Sequence, residues 1–393
     1  MDKRIFWLAV GSFTISTEGF VVSSLLPDIA ADSGISIPLA GYLITAFALA
    51  YALGGPILAT LTGRQERRPV IIWTMAFFVL GNLMAAFGSS FETLLGARVV
   101  MALAAGLFAA TAQATAVAMV DGHHRARAIA VVVGGTTVAV ALGAPLGALI
   151  GAAIGWRGTF MAIAALGTLA GVVLWWRLPR GLSGTPLTLR QRVAGVARPG
   201  VLPMLLTTLF TLTGAFTVFS YIAPLAMQGA GLSELALPAV LLAFGVGAVA
   251  GNIAGGQAAD RFGATRTVCW SLALGAAALI VFSAIPALPH AYAGPLLVAA
   301  MVPWGVIGWA FPPAQASRLL AIAPDDAPVV LSLNGSALYL GVALGSVVGA
   351  EVLRVGSPAD LGWVGALFPL IGLAIVLGAY ALRHRSVAVA PAE

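Results

Sequence analysis

The stretch from Ile5 to Pro27 reads IFWLAVGSFTISTEGFVVSSLLP, with Lys3 and Arg4 just before it and Asp28 just after. Its length of roughly 23 residues makes about 34 Å of helix, enough to cross a bilayer. The apolar run is too long for a signal peptide and lacks a small-residue cleavage site, so it is expected to stay as a span. Glu18 lies about 20 Å along it, inside the hydrocarbon. A carboxylate there is costly to ionise unless it is paired or faces water. Glu18 is therefore either a buried neutral acid or a group whose proton comes and goes.

The rest of the composition agrees with a membrane chain. Of 393 residues, 60% are hydrophobic and 9% charged, against about a quarter charged in a soluble domain. The one cysteine, Cys269, excludes an internal disulfide and a cysteine-based metal cluster. Apolar runs give twelve expected spans, at 5–27, 39–62, 69–88, 92–119, 128–151, 158–178, 201–227, 237–259, 267–285, 295–320, 328–352 and 361–382. With the N-terminus inside, the cytoplasmic segments collect all of the 20 basic residues except Arg157 and Arg354 outside and Arg98 within a span. This bias places both termini in the cytoplasm and explains the net charge of +6 without a nucleic-acid partner.

The chain also repeats. A shift of 197 positions, as in 270 − 73, carries Trp73 onto Trp270, Arg64 onto Arg261, Pro27 onto Pro224, Gly34 onto Gly231 and Ser36 onto Ser233. Six spans followed by six in the same orientation make a parallel repeat, two bundles about an axis along the membrane normal. The expected division is a first bundle over 1–178, an arginine-bearing cytoplasmic linker over 179–199 and a second bundle over 200–393.

On these residues the chain resembles the major facilitator superfamily. Thr17-Glu18-Gly19-Phe20 followed by Leu25-Leu26-Pro27-Asp28-Ile29-Ala30 is similar to the first-span signature of twelve-span drug:proton antiporters, in particular the sugar-efflux and chloramphenicol-efflux permeases. Leu61-Thr62-Gly63-Arg64, Gly143-Ala144-Pro145-Leu146-Gly147, Gly155-Trp156-Arg157 and Asn334-Gly335-Ser336-Ala337 resemble further family segments. The resemblance implies an all-α protein of the bacterial inner membrane, twelve helices in two six-helix bundles, acting as a monomer. It implies export of small molecules such as drugs or sugars, driven by the proton gradient with no bound cofactor. Asp28, Arg64, Arg68, Asp260 and Arg261 then fall at gating motifs. Two departures stand out. The loop between spans 2 and 3 lacks its usual acid, whereas Gly256, Asp260, Arg261 and Gly263 keep it in the second half; span 4 has Met101-Ala102 where Gln-Gly is usual.

Glu18 and Arg98 are the two charges well inside spans, and both fall about 20 Å from the inner face. The pair reads as a proton site, in which burial favours the protonated carboxyl and the guanidinium favours the carboxylate, or as a static structural pair. Asp28, beside Pro27 at the outer mouth, reads equally as a gate or as a solvated loop acid. Asp121, His123 and His124 lack the spacing and further ligands of a metal site and fit a cytoplasmic surface. Glycines at four-residue intervals, namely Gly143, Gly147 and Gly151, Gly247, Gly251 and Gly255, and Gly341, Gly345 and Gly349, give smooth helix faces. By analogy with the family these faces, with Pro145, are expected where spans 5 and 8 and spans 2 and 11 meet, allowing the bundles to rock. By the same analogy Gln113, Phe216, Tyr221, Trp304, Trp309 and Gln315 are expected along a central cavity, with Asn334 and Tyr339 from span 11.

Two other classes fit poorly. An intramembrane enzyme needs a nucleophile–base or metal constellation, and no span carries a histidine or paired acids. A channel needs a filter-like loop, which is absent. A facilitator or importer on the same fold remains the alternative to export.

Overall fold

The structure is a computed structural model that describes residues 2–121, 124–184 and 189–388. His123 and the side chains of Arg192, Arg383 and Arg385 lie outside the described residues. Those residues form helices and no strand.

Eleven helices are long and apolar enough to cross a membrane. One apolar stretch, Arg127–Arg177, has 51 residues, about 75 Å if straight and so two crossings. It turns back at Ile154 and Gly155, where Gly155 has φ +80°, a backbone conformation open to glycine and strained for other residues. Thr159 Oγ1 then donates to Gly147 O at 3.0 Å, tying spans 5 and 6 side by side. The twelve crossings expected from the sequence are present.

Their limits differ in places. Span 1 runs as Ile5–Asp32 through Pro27, and span 10 as His290–Ile322 through four prolines. Span 7 ends as a regular helix at Phe219 and continues through Ile222–Pro224 into a π-helical turn at Leu225–Gly229. Span 5 is likewise interrupted by a π-helical turn, Ala139–Gly143, just before Pro145. Proline supplies no N–H to the helix, and a widened turn accommodates the loss. Between the halves, residues Leu189–Val196 form a short helix inside the expected linker.

The internal repeat is visible at the turns. Gly34 and Gly231, 197 apart, both take positive φ, +64° and +69°. Ser36 and Ser233 follow in extended conformation, each opening a helix; Ser36 Oγ accepts from Leu39 N.

The glycine ladders require a correction. Gly143, Gly147 and Gly151 face Thr17, Val21 and Leu25 of span 1 within the first half. Gly247, Gly251 and Gly255 face Val302, Val306 and Ala310 of span 10. Gly341, Gly345 and Gly349 face Leu209, Thr213 and Tyr221 of span 7. All three ladders pack helices inside one half. The crossing between halves is made by other glycines: Gly245 against Ala141 and Val140, and Gly41 against Tyr221. Gly245 lies two residues before Gly247, about 200° around the helix, so the helix has one smooth face for each task. Span 5 on span 1 and span 11 on span 7 are equivalent packings (341 − 143 = 198).

Candidate functional site

Glu18 and Arg98 form an ion pair inside the first half, joining span 1 to span 4. Glu18 is 0% exposed and Arg98 2% exposed. Glu18 is the one buried carboxyl among the described residues. Arg98 Nε donates to Leu43 O of span 2 at 3.0 Å, and its guanidinium carbon lies 4.3 Å from the Phe47 ring centroid. A backbone carbonyl, an aromatic face and a carboxylate therefore hold the guanidinium from three sides. Glu18 Oε2 accepts no hydrogen bond from the described residues. One carboxyl oxygen thus lies against Arg98, and the other is without a donor among the described residues.

The second half reaches this pair through aromatic rings. Tyr339 of span 11 stacks on Tyr51 of span 2, centroids 3.6 Å apart and 19° between planes. Tyr339 is also 6.5 Å from the Phe47 ring that carries Arg98. Two residues after Glu18, Phe20 meets Phe219 of span 7 at 5.9 Å and Trp309 of span 10 at 6.4 Å. Sequence reasoning missed Tyr51 and Phe47. Their signal was spacing: Phe47 and Tyr51 are four apart, one above the other on a single helix face.

The expected cavity residues divide. Gln113, Phe216, Trp309, Asn334 and Tyr339 are half-buried. Tyr221, Trp304 and Gln315 are buried and packed against neighbouring helices. Tyr221 is fully buried and donates its hydroxyl to Ser346 O at 2.9 Å, while Ser346 Oγ donates to Gly41 O at 2.9 Å. Trp304 is enclosed by Phe219, Phe244 and Phe282 at centroid distances of 6.2, 5.0 and 5.0 Å. Gln315 Nε2 donates to Met204 O at 2.7 Å and to Thr208 Oγ1, and Thr208 in turn donates to Asn334 Oδ1 at 2.7 Å. An amide and a phenol at membrane depth are stable when bonded to backbone, which explains their inward packing.

The motif residues sit at the two ends of the bundle, outer and inner as the charge bias of the loops assigns them. Asp28 is half-buried at the outer end, in a small cleft shared with Ser24, Ala148 and Glu234 of span 8. Nearby, Arg157 pairs with Asp32, donates to Gly88 O at 3.2 Å and stacks on Trp156. At the inner end Arg64 is exposed. Arg68 donates to Trp175 O of span 6, Arg67 to Ala114 O of span 4 at 2.8 Å, and Glu66 accepts from Gly181 N at 2.7 Å. The loop that lacks its usual acid is thus tied down through Glu66 and two arginines. Asp260 and Arg261 are exposed in the second half, Arg261 over the Phe262 ring. Pro145 is buried beside the ladder that packs spans 1 and 5. No group of metal-ligating side chains occurs among the described residues.

Comparison with known proteins agrees with this architecture. The chain is 34% identical over 371 residues to the inner membrane transport protein YdhP of Escherichia coli K12, covering 94% of this chain and 92% of that one. It is 31% identical over 400 residues to a chloramphenicol resistance protein of Streptomyces lividans, covering 100% and 99%. Among solved structures, a bacterial homologue of the human lysosomal transporter Spinster, captured inward-facing and occupied, superposes with a TM-score of 0.73. It covers 96% of both chains at 20% identity, a likeness of fold. The family model described as Major Facilitator Superfamily matches residues 8–346, most of the twelve-span architecture. The chain is a multi-pass membrane transporter and belongs to the Major Facilitator Superfamily.

Proposed function

We propose that this transporter exports small molecules in exchange for protons by alternating access, with Glu18 as the proton carrier and Arg98 as the group that sets its affinity. The observation that carries the reading is the buried pair itself: one carboxyl oxygen against Arg98, the other without a donor. A carboxyl held this way changes the local charge from zero to plus one when it takes a proton, which weakens its hold on Arg98. Substrate entering between the halves then competes for the same polar environment, and the aromatic contacts of Phe20 and Tyr339 link that event to the second half. Residues 1–178 and 200–393 move as two bodies joined by the linker, acting as a monomer with both termini in the cytoplasm.

The likeness to a chloramphenicol resistance protein supports export of drug-like solutes, and the scarcity of interior charge supports neutral or weakly amphipathic ones. The test uses inside-out vesicles with an imposed proton gradient, acid inside. Chloramphenicol-like drugs, pentoses, thiogalactosides and purines are added in turn, and gradient dissipation is read in wild type and Glu18→Gln. A compound that dissipates the gradient in wild type alone supports the reading. Movement of a labelled compound with the gradient untouched replaces it with an uncoupled facilitator.

A further inference from the structure

Pro56 stands inside span 2, the helix Ile37–Leu61. It brings no N–H, so the carbonyl of Ala52, four residues earlier, receives no helix hydrogen bond from it. Ala52 is 3% exposed and lies nine residues, about 14 Å, from the Leu61 end of the span. The charge bias assigns that end to the cytoplasm. A carbonyl freed at such depth needs a donor from elsewhere.

The donor comes from the other half. Ser336 Oγ of span 11 donates to Ala52 O at 3.0 Å. Ser336 also lies nine residues from the inner end of its helix, Ala327–Val355. Beside this bond Tyr51 stacks on Tyr339. The other crossing carries no copy of the pair. The repeat offset puts Ile253 in the place of Pro56 (56 + 197) and Ala139 in that of Ser336 (336 − 197). The outer tie between spans 2 and 11 is also of a different kind. Ser346 Oγ donates to Gly41 O at 2.9 Å, and the N–H of Thr45, four residues after Gly41, serves the same carbonyl within the helix. Gly41 O is satisfied with or without its serine, whereas Ala52 O depends on Ser336.

We infer that Ser336 and the Ala52 carbonyl form a latch that holds the cytoplasmic ends of the two halves together. It is released when water from the opening cytoplasmic side takes the serine's place at the carbonyl. Ser336 is half-buried while Ser346 is 0% exposed, so the inner tie is the one open to water. The latch rests on alternating access as proposed above, and on neither the proton nor the identity of the solute.

The test is hydrogen–deuterium exchange of the full-length protein in lipid nanodiscs, with no substrate and no proton gradient. It is read at the inner ends of spans 5 and 8, which meet at the other crossing, Gly245 against Ala141. Loosening confined to spans 2 and 11 leaves those amides unmoved. Stranding a buried carbonyl penalises the closed state, and Ser336→Ala is expected to speed exchange there about fivefold. Ser336→Thr keeps the hydroxyl and is expected to stay near wild type. Pro56→Ala returns an N–H to Ala52 O, so adding Ser336→Ala to it is expected to change exchange by less than about twofold. Ser346→Ala is expected to leave the inner ends unchanged. Three results overturn the latch: inner ends indifferent to Ser336→Ala, an undiminished effect in the Pro56→Ala background, or equal opening by Ser346→Ala. With no gradient applied, this result and that of the vesicle assay stand or fall separately.

Discussion

Tyr339 of the second half stacks on Tyr51 of the first at 3.6 Å, and both rings stand beside the Phe47 ring that carries Arg98. The Glu18–Arg98 pair is buried in one half, yet the aromatic wall beside Arg98 is shared with the other. A change in the hold of Glu18 on Arg98 is therefore felt where the two halves meet.

This contact is testable at Tyr339. Aromatic pairs contribute about 0.5–1.5 kcal/mol beyond area burial, so Tyr339→Ala is expected to slow transport by roughly 2- to 12-fold. Tyr339→Phe keeps the ring and is expected to stay near wild type. Initial rates of substrate-driven proton movement in proteoliposomes check both. Equal rates for Ala and Phe would separate the stack from transport.

Removing one partner of a buried pair strands the other. Arg98→Ala is expected to destabilise the protein by about 3–5 kcal/mol, because Glu18 stays buried without its cation. The double variant Glu18→Gln with Arg98→Met is expected to recover most of that loss while remaining unable to couple protons. Thermal unfolding in detergent measures the first effect and gradient dissipation the second.

The two glycine faces of span 8 separate stability from movement. Gly247 lies against the Val302 carbonyl within its own half, and Gly247→Val is expected to cost about 1–3 kcal/mol through overpacking. Gly245 lies against Ala141 of the other half, and Gly245→Val is expected to leave folding largely intact while reducing transport. Unfolding temperature and transport rate, measured on both variants, should move in opposite patterns.

At the outer end the Arg157–Asp32 pair is exposed on both sides. Asp32→Asn is expected to change stability by less than about 1 kcal/mol, as surface ion pairs do. Arg157→Ala removes the bond to Gly88 O and the stack on Trp156 as well, and is expected to cost more. Chemical denaturation of the two single variants compares them directly.

The spans, their number and the repeat could be read from the sequence because each rests on local chemistry. Apolar length marks a crossing, and Gly34 and Gly231 mark equivalent turns because both need positive φ. The pairing of Glu18 with Arg98 was also legible, since two charges at equal depth in hydrocarbon need each other. What could not be read was direction around a helix. A ladder such as Gly247-Gly251-Gly255 announces close packing but not the partner, and here the partner is span 10 of the same half. Tyr221 and Gln315 looked like cavity residues because they are polar, yet each is satisfied by a carbonyl from a helix distant in sequence.

Under the proposed mechanism, with Glu18 the one buried carboxyl among the described residues, a thermodynamic ceiling follows. With one carboxyl as carrier, each turnover returns one proton, and exchange for an uncharged solute moves one net charge across the membrane. That step is worth about 2.3 kcal/mol per 100 mV. Each tenfold of outward accumulation then requires about 60 mV of proton-motive force. A respiring cell supports a steep but bounded gradient of the exported compound, and collapsing the membrane potential at constant pH lowers that bound directly.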